Sequence, residues 1–247
     1  MVKRRMGLAE LTRGELWWCI VPRPRGGAFS FMVRTFAAIV LFLGIVTQLE
    51  AAGVNVVVAD QEGQPLQDVV VLATPLGPAR AAAEAKLENG GRPTVTISQQ
   101  NKEFVPYVTA VRMGTAISFP NQDNILHNVY SFSKAKRFEL PLYKDKAPEP
   151  VVFDKPGVVV LGCNIHDWMV AYVYVLETPY FAKTGPTGKA QLVGLPVGEY
   201  EVRARHPRKS KRGSSPPQHV HVKNDLQHIE LVLALKPEWR PQRNGKQ

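Results

Sequence analysis

Beyond residue 52 the chain is a succession of short apolar, β-branched runs cut by glycine, proline, asparagine and aspartate, the signature of strands joined by turns. The first run, Gly53-Val54-Asn55-Val56-Val57-Val58-Ala59-Asp60, is followed by the turn residues Gln61-Glu62-Gly63-Gln64-Pro65 and a second run over 67–73. Further strands are expected over 94–98, 108–111, 115–119 and 127–132, with a turn at Met113-Gly114. Residues 138–143 and 150–153 flank the polar stretch 144–149, and Asp154-Lys155-Pro156-Gly157 turns the chain into the valine-rich runs 158–161 and 170–175. Because a strand repeats every two residues, Val159, Leu161 and Cys163 fall on one face, so the cysteine sulfur points into an interior. Residues 81–87 suggest one short helix, ended at Asn89-Gly90-Gly91. The pattern as a whole predicts an all-β protein.

Residues 1–52 follow a different rule. Arg34 precedes fifteen uncharged, mainly apolar residues, 35–49, and the small residues Ala51, Ala52 and Gly53 close the stretch. A basic start, a short apolar segment and small residues describe a secretory signal, and a membrane span needs about 20 residues. Export to the periplasm or beyond is the expectation. The alternative is an uncleaved signal that anchors the chain, the one membrane contact the sequence suggests. Met32 would by itself begin a well-formed signal, so it is a candidate for the true start. Cys19 sits beside bulky Trp18 with no apolar run before it, which argues against lipid attachment there.

Cleavage near Ala52 alters both the charge and the cysteine count. Of the 31 Lys and Arg, seven lie in residues 1–52 against three of the 21 acids, so the net charge falls from +10 to +6. Much of the excess sits in Arg203-Ala204-Arg205-His206-Pro207-Arg208-Lys209-Ser210-Lys211-Arg212, a single-sign stretch able to steer an acidic partner. Charge alone does not point to nucleic acid, and no nucleic-acid motif accompanies it. Cys163 is the only cysteine left, and a lone thiol in an oxidising compartment has three fates: intermolecular pairing, inert burial or metal ligation.

The residues around it favour metal. Gly162-Cys163-Asn164-Ile165-His166-Asp167-Trp168-Met169 offers a thiolate, an imidazole and a thioether at the spacing Cys-x2-His-x2-Met, between two strand-like runs. Upstream, Phe119-Pro120-Asn121-Gln122-Asp123-Asn124-Ile125-Leu126-His127-Asn128-Val129 supplies a second imidazole, His127. Two histidines and a cysteine with a distant methionine sulfur make the coordination set of a mononuclear blue-copper centre. Zinc takes thioether poorly, and a dinuclear copper centre needs a second cysteine near the first. Singly, His127 reads as a structural histidine and Met169 as packing; their conjunction with Cys163 and His166 carries the inference. Trp168 and Tyr172 are either packing or part of a docking surface beside His166. His206, His219, His221 and His228 fall in the later part of the chain and read as solvated or structural, although His219 and His221 share a strand face.

Phe104-Val105-Pro106, Val111, Gly114, Phe119, Asn121, His127-Asn128 and Cys163-x2-His166-x2-Met169 together resemble the cupredoxins, nearest the amicyanin, pseudoazurin and plastocyanin group, over residues 94–176. The resemblance implies a Greek-key sandwich holding one copper ion at His127, Cys163, His166 and Met169. It also implies that Asn128, after the first histidine, ties its strand to the ligand loop. Amicyanin-like loops carry proline after the second histidine; here Asp167 stands there, a carboxylate that would favour Cu(II).

The flanks resemble a second family. A strand, the turn Asp60-x-x-Gly63-x-Pro65-Leu66 and another strand are similar to the opening of transthyretin-like or carboxypeptidase-regulatory-like β-sandwiches. Residues 184–202, with Leu195-Pro196-x-Gly198-x-Tyr200, resemble their later half, with Gly185 where that pattern has aspartate. The expected organisation is a signal region 1–52, a discontinuous sandwich 53–80 and 178–236, a cupredoxin domain 81–177 inserted within it, and a loose tail 237–247. The alternative extends the cupredoxin sheet with residues 53–73 and leaves only the tail as a small module. Proteins of this two-part type are sometimes labelled methylamine-utilisation proteins, although no residue here indicates that substrate.

No Ser-His-Asp arrangement, phosphate-cradling glycine loop or pair of acids on one element appears, so an enzyme is not expected. The expected function is one-electron transfer between redox proteins, cytochrome c or dehydrogenase-like. The competing expectation is a copper-binding or carbohydrate-binding-like adhesion module with no redox role.

Overall fold

The structure is a computed structural model and describes residues 53–81 and 93–238. The signal region, Met32, Cys19 and most of the short helix expected over 81–87 lie outside the described residues, as does the tail from 239 on. Among the described residues no helix is long and apolar enough to cross a membrane.

The described chain is built of strands. β1 (Gly53–Ala59) and β2 (Val70–Pro75) open it. Next come β3 (Thr94–Thr96), β4 (Ser98–Gln100), β5 (Glu103–Val105), β6 (Val108–Arg112), β7 (Thr115–Ser118), β8 (His127–Ser133) and β9 (Lys136–Tyr143). β10 (Val151–Phe153), β11 (Gly157–Gly162) and β12 (Val170–Leu176) carry the chain to its later part, β13 (Tyr180–Lys183), β14 (Lys189–Val193), β15 (Gly198–Arg205), β16 (Gln218–Val222) and β17 (Leu226–Val232). Three of these, β4, β5 and β13, were not anticipated as strands: β4 meets the strand expected over 94–98 only at Ser98, β5 has three residues, and β13 follows a proline and mixes one lysine with aromatics.

The middle strands form a five-stranded sheet, β6-β12-β11-β8-β9, and a three-stranded sheet, β10-β7-β3, beside the β4-β5 hairpin. Ile97, Phe104, Ile117, Phe119, Val129, Phe153, Val159, Leu161 and Val173 fill one core contributed by these elements. Pro141 is accommodated because β9 is an edge strand, where a missing N–H costs no ladder bond. β1 hydrogen-bonds instead with β14 and, in parallel, with β17; β2 pairs with β13 and β15. A second core lies among these outer strands, including Val54, Val56, Val71, Ala73, Leu192, Tyr200, Val202 and Val222.

A third cluster joins the two. Val70 and Leu72 of β2 meet Val108, Tyr172, Tyr174 and Leu176. The alternate residues of β2, Val71 and Ala73, face the second core, and those of β12, Ala171, Val173 and Val175, face the first. Both strands are therefore covered on both faces, which is why they read as unbroken apolar runs rather than alternating ones.

Candidate metal centre

Three of the sequence-singled residues meet at the open end of the first core. β8 begins at His127 and β11 ends at Gly162, one residue before Cys163; the loop that follows returns to β12 just after Met169. Cys163 Sγ lies 3.9 Å from His127 Nδ1 and 3.9 Å from His166 Nδ1. The imidazole rings stand 4.9 Å apart at a 55° interplanar angle, and one donor atom from each of the three residues lies within 4.8 Å of the others. His127 is 0 % exposed, Cys163 4 % and Met169 1 %, whereas His166 is half-buried.

The geometry suits a metal bonded to all three. At bond lengths of about 2.3 Å to sulfur and about 2.0 Å to nitrogen, a 3.9 Å sulfur–nitrogen separation corresponds to an angle of about 130°, open like a trigonal plane rather than closed like a tetrahedron. A thiolate with two imidazoles suits copper, which accepts both soft and intermediate donors. Met169 is buried in the same core as Cys163, and its N–H donates to the His166 carbonyl at 3.0 Å, closing the loop.

The surrounding bonds fix the loop. Asn128 Oδ1 accepts from the Asn164 N–H at 2.8 Å, joining the strand of one histidine to the loop of the cysteine. Gly162 faces Tyr130 across the β8–β11 ladder, and a Cβ at Gly162 would come within 2.7 Å of the Tyr130 ring. Asp167 is exposed at the loop's outer edge. Trp168 stacks obliquely on His166, centroids 5.2 Å apart, and donates its indole N–H to Lys102 O at 3.0 Å. Tyr172 is on the opposite face of its sheet, edge-on to Tyr107, so only Trp168 of the two aromatic candidates adjoins the site.

Sequence reasoning missed Asp123. Its Oδ2 is 2.9 Å from His127 Nε2, so with Nδ1 turned to the sulfur, Nε2 carries the proton and donates to the carboxylate. Asp123 is itself held by the N–H groups of Asn101 and Lys102, each at 2.7 Å. Asn101 and Lys102 make the two-residue turn of the β4-β5 hairpin with φ of 54° and 58°, left-handed values that leave successive N–H groups pointing at one anion. Burial pushes the Asp123 carboxyl up, but bonds from Lys102, His127 and Asn101 outweigh it and hold the group below the usual carboxylate range. The available signal was its place four residues before His127, beside Asn121, in a loop read for the histidine alone. Beneath the site the Tyr143 hydroxyl, pushed up to about 12 mainly by burial, donates to Phe119 O and accepts from the buried Gln99 amide.

Fold and donors thus define a β-sandwich with a cluster of two histidines and one cysteine that could hold a metal ion. No protein-family model and no curated protein matches the chain. Among solved structures it is similar to a copper-containing nitrite reductase from Thermus scotoductus (27% identity, TM-score 0.33), over 42% of this chain and 27% of that one. It is also similar to a reduced amicyanin variant (17% identity, TM-score 0.31), over 42% of this chain and 98% of amicyanin. A purple cupredoxin from Nitrosopumilus maritimus matches at 23% identity and TM-score 0.29, over 34% of this chain and 99% of that one.

Proposed function

We propose that the chain is an exported type 1, or blue, copper protein that passes single electrons between redox partners. His127, Cys163 and His166 would hold the copper, and Met169 would add its thioether sulfur. One observation carries the reading: two imidazole nitrogens from distant segments flank a buried thiol at equal distances of 3.9 Å. Bound copper would supply a centre that changes valence by one electron with little rearrangement. The protein's part is to hold the donors still, through Asp123 on His127 and Asn128 on the loop, and to keep water away. With four protein donors committed, no open position remains for a substrate, which favours a carrier over an enzyme.

His166, half-buried and beside Trp168, is the proposed exit for the electron. Leu126 and Ile165, about half exposed at 49% and 50%, precede the two histidines and give that end an apolar rim suited to brief docking. The positive charge of the mature chain suits an acidic partner of the cytochrome c or dehydrogenase-like kind, in the periplasm or outside the cell. The pairing of β1 and β2 with strands beyond residue 180 supports an inserted copper domain, 81–177, within a discontinuous sandwich of 53–80 and 178–236. One observation favours the competing adhesion or storage reading: Asn55, Gln191 and His228 stand beside Val56, Val57 and Ala190 around an open hollow of mixed polar and apolar character on that sandwich.

Addition of Cu(II) to the mature protein, followed by reductive titration, tests the proposal. An intense visible thiolate-to-copper band that bleaches and returns is expected for the carrier; a colourless or irreversibly reduced product supports storage. Cys163→Ser removes the band, and Met169→Leu retains copper with an altered potential. Persistent colour in the serine variant would mean that the thiolate has been misassigned.

A further inference from the structure

The basic stretch 203–212 lies far along the chain from the copper ligands and takes no part in the site described. It is not a loose, solvated loop. Lys209 bridges to Leu235 by strand pairing, the Lys209 N–H donates to His206 O at 3.0 Å, and Ser210 N–H donates to Ala234 O at 2.8 Å. Arg208, which faces away, bonds Lys236 O and lies 3.7 Å from Glu238, tying down the first residues of the tail. The stretch is thereby held as a wall against the outer face of β11 and β12, with a hollow of about 480 Å³ between them.

The chemistry of that hollow has one sign. Tyr172, Tyr174 and Val158 form its floor, and Arg205, Lys209 and Lys211 stand in its wall. No carboxylate lines it, and among the described residues Arg205, Lys209 and Lys211 make no ion pair. Burial first, then the charges of Arg205 and Arg203, pushes the Lys209 ammonium below its ordinary range, so its repulsion is not relieved within the protein. Burial pushes the Tyr174 phenol up, which keeps its hydroxyl protonated and able to donate. Crowded cations and hydroxyl donors on a rigid frame complement a polyvalent oxyanion, and Arg with Lys is the pairing that phosphate recognition uses.

We propose that this hollow binds a phosphate monoester, its oxygens held by Arg205, Lys209 and Lys211 and its organic body lying along Val158 and the tyrosines. The volume exceeds the needs of bare phosphate and falls in the range of small-ligand sites. The same headgroup chemistry occurs in soluble phosphate esters and in phosphatidic acid, and two arms of one experiment separate them.

Binding of inorganic phosphate and of glycerol phosphate to the whole protein is measured calorimetrically at constant ionic strength, which removes general screening. Co-sedimentation with phosphatidic acid vesicles, against phosphatidylcholine vesicles, forms the second arm. Saturable binding in either arm, weakened about tenfold or more by Lys209→Met and unchanged by Lys189→Met, is the expected result. Lys209 also donates to Ala204 O at 3.0 Å, so the exposed Lys211→Met variant tests the same hollow should Lys209→Met fail to fold. Binding in neither arm, or binding that Lys209→Met and Lys211→Met leave intact, overturns the proposal. None of these readouts depends on copper.

Discussion

Asp123 accepts a hydrogen bond from the protonated His127 Nε2 and leaves Nδ1 to face the sulfur, which fixes both the tautomer and the tilt of the ring. Carboxylates in that position are expected to matter nearly as much as ligands. Asp123→Ala should therefore lower copper affinity about 10- to 100-fold in competition with a chelator, while Asp123→Asn, which keeps an acceptor oxygen, should recover most of it. Unchanged affinity in the alanine variant would show that the hairpin turn alone holds the imidazole. The contrast with Cys163 and His166 explains what the sequence could reveal at this scale. Their roles follow from residue type and spacing in one loop. Asp123 acts only because a distant turn at Asn101 and Lys102 presents two N–H groups to it, and no local pattern announces such a meeting.

Strands were legible wherever burial has a period or fills a run. β1 alternates buried and exposed valines, and β12 is buried on both sides, so each declares itself in its own residues. β5 and β13 do not, because three or four residues hold too few periods and their partners lie elsewhere in the chain. The link between the outer halves of the molecule is similarly hidden. Thr184, 1 % exposed, accepts the Val69 N–H at 2.9 Å across 115 positions and donates to Leu66 O at 2.7 Å across 118. Thr184→Val keeps the volume but strands a buried N–H, an error costing about 1–3 kcal/mol. A thermal melt should show the loss. Thr96→Val, which removes only an exposed hydroxyl pair with Ser118, should melt within experimental scatter of the parent; equal melting of both variants would mean that the buried bond contributes nothing net.

For the whole molecule, the same burial that packs the outer sandwich bounds the pH range in which it is most stable. Between about pH 6.5 and the carboxylate range the group on the acid side is His206, which burial first and then Arg208 push below its ordinary value, against the opposing pull of Asp68 and Glu238. The unfolded imidazole takes a proton at about 6.5 and the folded one only at lower pH, so this contribution is complete above about 6.5 and is lost as pH falls through the folded value. On the alkaline side Tyr200 is pushed up to about 12 by burial and then by Tyr180, whose ring stands 5.8 Å away. Unfolded tyrosine ionises at about 10, so its contribution is complete below about 10 and is lost as pH rises toward 12. Denaturant midpoints should accordingly form a plateau between about pH 6.5 and about pH 10 and fall on both sides. His206→Gln should flatten the acid limb alone, and Tyr200→Phe the alkaline limb alone, since the phenylalanine has no proton to lose. An alkaline limb that survives in Tyr200→Phe would assign it to the other buried phenols that burial pushes up, Tyr180 in the same core, Tyr174 in the cluster between the cores or Tyr143 in the first core.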